Sequence, residues 1–333
     1  MNFIIGRNNL ALTIFVPFDC SNNCYFCTSK ASYRTNPPNL EKVKEAIVDF
    51  FTNYRFPITD VVFTGGEPME NIPVLKDLID LIPSDKNVFI NTSFINKNTI
   101  EFCNLVNNED KIKGISISRH CTTYEEDYKL LRNICPDDFV TLFTKPVKIN
   151  CVVGNLIKEE RISKIVERWR KLRVLLSFRK DFTTVKTDLE LHNPYDYVPR
   201  ELIRLGYKYD NHTQCNVCDT TRFWNGSSLI QYHKGFEHTA LEKDGMLEIN
   251  DLIIFQDGRF AYDWSGCKEE VVEELRAAYR IIPYCSPVDM GYKFNEEISF
   301  DFIGENRCGS GGCGNGCGIV HSEHYGCGIG SCG

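Results

Sequence analysis

No stretch of eighteen consecutive apolar residues occurs in the 333-residue chain, so no transmembrane helix is expected. An excess of positive charge is missing too. Lys and Arg number 38 against 45 Asp and Glu, and the net charge of −7 offers no general attraction for nucleic acid or an anionic membrane. No secretory signal is expected either: Arg7 precedes the apolar residues 10–18, but no small-x-small cleavage site follows and the stretch runs into a cysteine cluster. It reads as a strand. At 42% hydrophobic and 12% aromatic residues, the composition excludes disorder and collagen. What is abundant is cysteine. Sixteen are too many to be incidental and, with no secretory signal, are expected in a reducing cytoplasm, where such spacing points to metal or catalysis more than to disulfides.

Apolar runs suited to strands recur at residues 11–16, 59–63, 87–91, 114–118, 147–153 and 173–178. Helical patterns lie between them. Leu40, Val43, Ile47 and Phe50 repeat at helical spacing after Asn39, a candidate N-cap, and Ile162, Ile165, Val166 and Trp169 do the same. This alternation predicts an α/β chain with a parallel sheet, whose six units make an open or incomplete barrel. From about Lys180 the rhythm fades, giving expected domains at 1–180 and 181–307 and a Cys/Gly-rich tail at 308–333. Within the second, residues 251–262 read as a hairpin turning at Asp257-Gly258, and residues 276–282 as the end of a helix.

Cys20, Cys24 and Cys27 follow the first strand, and three thiolates within eight residues can hold one corner region of an iron–sulfur cube, leaving one of four irons open. The spacing differs from the ferredoxin run, which adds a fourth cysteine followed by proline. A Cys-x3-Cys-x2-Cys loop with an aromatic residue, Phe26, just before its last cysteine resembles the signature of the radical S-adenosylmethionine (SAM) superfamily. Gly65-Gly66-Glu67-Pro68, after the second strand, is similar to that family's Gly-Gly-Glu-Pro motif. The resemblance covers roughly the first half of the chain. It implies a partial (β/α)6 radical SAM barrel, a [4Fe–4S] cluster on Cys20, Cys24 and Cys27, and a SAM amino group held at Gly65, Gly66 and Glu67. It also implies reductive cleavage of SAM to a 5′-deoxyadenosyl radical that abstracts hydrogen from a substrate.

Later strand ends extend the implied SAM site: Asn91 toward ribose, Ser116, Ser118 and Arg119 toward ribose or the SAM carboxylate, and Asn150 and Val153 toward adenine. Parallel barrels gather their active sites at this edge. Plainer readings stand beside these: a structural zinc loop for the three cysteines, a strand-ending turn at residues 65–68, capping or turn roles for Asn91, Ser118 and Asn150, and a solvated surface pair for Arg119 and His120.

The remaining cysteines divide. Cys103, Cys121, Cys135 and Cys151 fall in helix and strand patterns and are assigned to the core. Cys215, Cys218, Cys267 and Cys285 are candidates for an auxiliary cluster or metal ion. In the tail, five Cys and ten Gly leave no regular helix or strand, and Cys308, Cys313, Cys317, Cys327 and Cys332 could bind a metal or cluster, or serve as a substrate mimic. The expected function is modification of a peptide or small-molecule natural-product precursor, with a flavodoxin or ferredoxin as electron donor. No cobalamin domain is expected before Cys20, and no N-terminal leader-binding module is expected before the strand near Ala11. Alternatives are nucleoside or RNA-base modification, which the charge disfavours, and a non-catalytic iron–sulfur or metal carrier.

Overall fold

The computed structural model describes residues 2–5, 10–22, 24–27, 29–154, 159–172, 174–181, 197–209, 220–233, 240–243, 246–249, 251–263 and 268–280. The six sequence-expected strands are all present as β2 (Leu10–Val16), β3 (Ile58–Gly65), β4 (Asn87–Thr92), β5 (Ile112–Ser118), β6 (Val147–Val153) and β7 (Val174–Lys180). They pair in chain order and all in parallel. The crossovers are α1 (Ser29–Thr35) with α2 (Leu40–Asn53), then α3 (Ile72–Asp80), α4 (Thr99–Asn108), α5 (Tyr124–Leu131) and α6 (Glu159–Arg170). This is a partial (β/α)6 barrel whose sheet does not close.

The helices form for the reasons their patterns give. Asn39 caps α2 by accepting from the Lys42 amide at 3.1 Å, and Val43, Ile47 and Phe50 bury one face against the sheet. Ile162, Ile165, Val166 and Trp169 of α6 are all buried. Strand residues that point toward the helices, such as Ile14, Phe63, Ile90, Ile115, Ile149 and Leu176, join one continuous core. The alternate residues face the other way, where polar side chains are frequent: Thr13, Asn91, Ser116, Lys148, Asn150 and Ser177.

Strands from beyond Lys180 extend this same sheet at both edges. At one edge β10 (Leu229–His233) pairs parallel with β7, followed by antiparallel β9 (Thr220–Trp224) and β8 (Lys208–Tyr209); α7 (Tyr197–Arg204) precedes them. At the other edge β13 (Asp251–Ile254) pairs parallel with β2 and antiparallel with β14 (Phe260–Ala261). The expected hairpin is therefore there, with Gly258 at φ +83° in its turn. A separate three-stranded sheet joins β1 (Asn2–Ile5) to β12 (Met246–Ile249) and β11 (Ala240–Lys243), and α8 (Glu269–Tyr279) ends the described part. No helix among the described residues is long and apolar enough to cross a membrane.

Candidate active site

The cysteine loop starts where β2 ends, and its contacts carry it across the C-terminal ends of the sheet strands. At β3, the Glu67 amide donates to the Asp19 carbonyl at 3.4 Å. At β4, Asn22 Nδ2 donates to Ser93 Oγ at 2.6 Å. At β5, the Phe26 ring meets the His120 ring edge to face, with centroids 4.6 Å apart. At β7, the Tyr25 side chain hydrogen-bonds Asp181. The loop thus lies over the mouth of the partial barrel.

Tyr33 in α1 fastens its base. Its hydroxyl donates to the Val16 carbonyl at 2.6 Å and accepts from the Gly66 amide at 2.6 Å. This contact explains the glycines physically. A Cβ on Gly66 would lie 2.0 Å from the Phe18 carbonyl oxygen, and one on Gly65, at φ +98°, would lie 2.4 Å from the Tyr33 hydroxyl. The space that a side chain would need is filled by the cysteine loop at Gly66 and by Tyr33 and Phe15 at Gly65.

Glu67 is almost wholly buried, and its carboxylate accepts from the Ser93 amide at 2.8 Å, the Met69 amide at 3.1 Å, and the hydroxyls of Thr92 and Ser93. Those donors favour the charged form, but burial outweighs them and moves its pKa up. These contacts tie the segment after β3 to the end of β4. Pro68 opens the short 3-10 turn that follows.

The three thiols are free. Cys20 and Cys24 are half-buried, and burial, aided by the charge of Glu67 and by their neighbouring thiols, pushes both up to about 12. They hold their protons until a cation replaces them, as metal-bound thiolates do. Among the described residues, no group of three His, Cys, Asp or Glu is gathered tightly enough for a single metal ion. A four-iron cube takes its thiolates at separate corners, which three cysteines of one loop can supply.

The other expected contacts separate into two groups. Asn91, Ser116, Ser118 and Asn150 lie on the inner face, and both polar atoms of the Asn91 side chain, Ser116 Oγ and Asn150 Oδ1 are buried without a hydrogen-bond partner. Unpartnered buried polar atoms are rare and call for a ligand or water. Arg119 and Val153 are placed differently. Arg119 is 1% exposed and donates to the carbonyls of Ser93, Ser118 and Cys135 at 2.6, 2.7 and 2.9 Å, bracing the ends of β4 and β5 against the segment that follows α5. The side chain of Val153 belongs to the outer core.

A solvated Arg119–His120 pair is ruled out, since His120 is 3% exposed. Its Nδ1 accepts from the Val152 amide at 3.0 Å, which leaves the proton on Nε2, and burial moves its pKa down to about 4. Beneath it, Asp127 accepts from the amides of His120 and Cys121 at 2.6 and 3.0 Å and pairs with Arg168 at 2.6 Å. Sequence reading missed Asn22, Tyr25 and Tyr33, because nothing in local spacing tells which strand end each one reaches.

Cys103, Cys121, Cys135 and Cys151 are buried, as expected of core thiols. Cys215, Cys218, Cys267, Cys285 and the tail cysteines Cys308, Cys313, Cys317, Cys327 and Cys332 lie outside the described residues.

Residues 9–118 match the family described as the 4Fe-4S single cluster domain, a span that contains both motifs. The chain is also similar to solved structures. One is Streptococcus suis SuiB bound to S-adenosylmethionine, at 16% identity over 60% of this chain and 45% of that one, with a TM-score of 0.44. Another is anSMEcpe with bound AdoMet and Cp18Cys peptide, at 16% identity, 58% and 56% coverage and a TM-score of 0.38. A third is a radical SAM methyltransferase from Sphaerobacter thermophilus, at 14% identity, 50% and 55% coverage and a TM-score of 0.35. The chain spans about half the length of these three proteins. No curated protein sequence matches it.

Proposed function

We propose that the chain is a radical SAM enzyme that holds a [4Fe–4S] cluster on Cys20, Cys24 and Cys27, binds SAM beneath that loop, and modifies a peptide or small-molecule precursor. The observation that carries this reading is the coincidence of three free thiols over the barrel mouth with unpartnered polar atoms of Asn91, Ser116 and Asn150 on the inner face below. When bound, the cluster and SAM supply reductive cleavage of SAM and hydrogen abstraction from the substrate. The protein's residues supply placement. Glu67, with its four donors, fixes the end of β3 against β4, Tyr33 holds the cysteine loop on that end, and Arg119 braces the ends of β4 and β5.

Asn91 and Ser116, paired in register, are proposed to meet the ribose or carboxylate side of SAM, with Ser118 beside them and Asn150 on the adenine side. Cys27 and Tyr25 are exposed, which gives a flavodoxin or ferredoxin an approach to the cluster. The proposed setting is the cytoplasm, where thiols stay reduced.

Anaerobic reconstitution with iron, sulfide and SAM, followed by a chemical reductant, tests this. The wild type is expected to release 5′-deoxyadenosine, and Cys20→Ala, Cys24→Ala and Cys27→Ala to release none. Absence of product from the wild type, or equal product from the triple variant, overturns the reading and leaves a carrier role.

A further inference from the structure

The inner face carries unpartnered polar groups beyond those proposed above to meet SAM. Asn150 on β6, Ser177 on β7 and Gln231 on β10 stand in register in neighbouring parallel strands, Asn150 opposite Ser177 and Ser177 opposite Gln231. Their chain neighbours Ile149, Cys151, Leu176, Phe178, Ile230 and Tyr232 all belong to the outer core, so the three side chains share the opposite, inner face. Ser177 and Gln231 are completely buried. Ser177 Oγ, Gln231 Nε2, Gln231 Oε1 and Asn150 Oδ1 have no hydrogen-bond partner.

A buried primary amide with neither end satisfied is a costly arrangement, and an apolar side chain of the same shape would avoid the cost. Gln231 is not one of the six barrel strands' residues. It reaches the inner face only because β10 adds a further parallel strand beside β7. Its amide presents donor and acceptor side by side, with the Ser177 hydroxyl next to it, and the complement of that pattern is another amide.

We propose that Ser177 and Gln231 form a substrate subsite that receives a neutral amide, either a peptide-backbone amide or a carboxamide side chain. The proposal deepens the radical SAM reading and rests on it for the word substrate, while the amide recognition itself can be read separately.

The test uses the reconstituted, SAM-loaded protein with N-methylacetamide as probe and methyl acetate as the matched ester that lacks the N–H. In the wild type, the Gln231 side-chain amide NMR resonance, identified by its absence in Gln231→Leu, is expected to shift with N-methylacetamide and not with methyl acetate. Saturation transfer from protein to N-methylacetamide is expected to fall about tenfold in Gln231→Leu and to weaken in Ser177→Ala. Equal response to amide and ester, no response to either because water alone fills the row, or undiminished transfer in Gln231→Leu would each overturn the proposal.

Substrate-free 5′-deoxyadenosine formation separates the two claims. Unchanged formation in both variants supports a substrate role, and its loss in them would hand the row to SAM and overturn the subsite. Absence of formation in the wild type is a failure of the radical SAM reading instead, and leaves the amide result to be judged by the resonance. Melting temperatures at or above wild type in Gln231→Leu support unpartnered groups, and a fall of several degrees would mean that the amide is already satisfied within the fold, which overturns the argument.

Discussion

Single residues at this site are fixed by contacts that their neighbours in sequence do not reveal, and His120 is the clearest case. It is fully enclosed, edge to face with Phe26, and its pKa moves down to about 4 because burial disfavours the imidazolium; nearby Asp127 opposes that shift, and Arg119 and Arg168 add to it. A base whose pKa falls from 6.5 to about 4 on folding binds fewer protons in the folded state between those two values. Stability from this group is therefore complete above about pH 6.5 and is lost as pH falls toward 4, by about 2 kcal/mol at pH 5. Urea unfolding at pH 7.5 and pH 5.0 should show that loss in the wild type and a smaller one in His120→Gln. Identical pH dependence in the two proteins would mean that His120 is not held neutral.

The sequence paired Arg119 with His120 at a strand end, and that much was legible. What could not be read was the direction of the guanidinium, since its carbonyl partners lie at Ser93, Ser118 and Cys135, far apart in the chain.

Between elements, the decisive relation is the lock of the cysteine loop onto the end of β3. Strand positions were legible because a parallel sheet covered by helices on one face writes its residues as short apolar runs, and Val147–Val153 was read to the residue. The glycines are legible as well, and the structure adds a packing reason for them: Phe18 and Tyr33 occupy the places where their side chains would go.

That geometry makes two variants informative. Tyr33→Phe removes the acceptor of the Gly66 amide and the donor to the Val16 carbonyl, leaving buried polar groups unpaired at a cost of about 1–3 kcal/mol. Gly66→Ala forces backbone apart, because its Cβ would sit 2.0 Å from a carbonyl oxygen that no rotamer can move. The second should therefore lose more stability than the first, and both should retain less iron per chain after reconstitution. Wild-type denaturation midpoints together with wild-type iron content would show that the loop is not held by this lock.

At the scale of the whole molecule, the change of rhythm near Lys180 was legible and its spatial meaning was not. Hydrophobic periodicity and the Asp257-Gly258 turn announce a hairpin, yet nothing local says that its first strand pairs with β2, some 240 residues earlier in the chain. The pairing is cemented by side chains. The Thr13 hydroxyl meets both carboxylate oxygens of Asp251 at 3.1 Å, and Gln256 Nε2 donates to the carbonyls of Ser32 and Asn36 at 3.0 and 2.8 Å. Phe260 stacks on Phe56 with ring centroids 5.9 Å apart, and a Cβ on Gly258 would lie 2.6 Å from the Lys42 carbonyl oxygen, so the turn rests directly on α2.

Expressing residues 1–180 alone would strip β13 from one edge of the barrel and β10 from the other, exposing two long parallel edges and the apolar side chains that those strands cover. Such a fragment should unfold without a cooperative transition or precipitate. A chain ending at residue 280 keeps every described element and should melt as one cooperative unit, with the cysteine loop still able to take up iron. Calorimetry on the two chains decides the matter. A sharp, reversible transition for residues 1–180 would mean that the barrel is self-sufficient and that its edge strands are additions. Its absence there and presence in 1–280 would mean that the inner face is completed by the half of the chain after residue 180, where Gln231 stands.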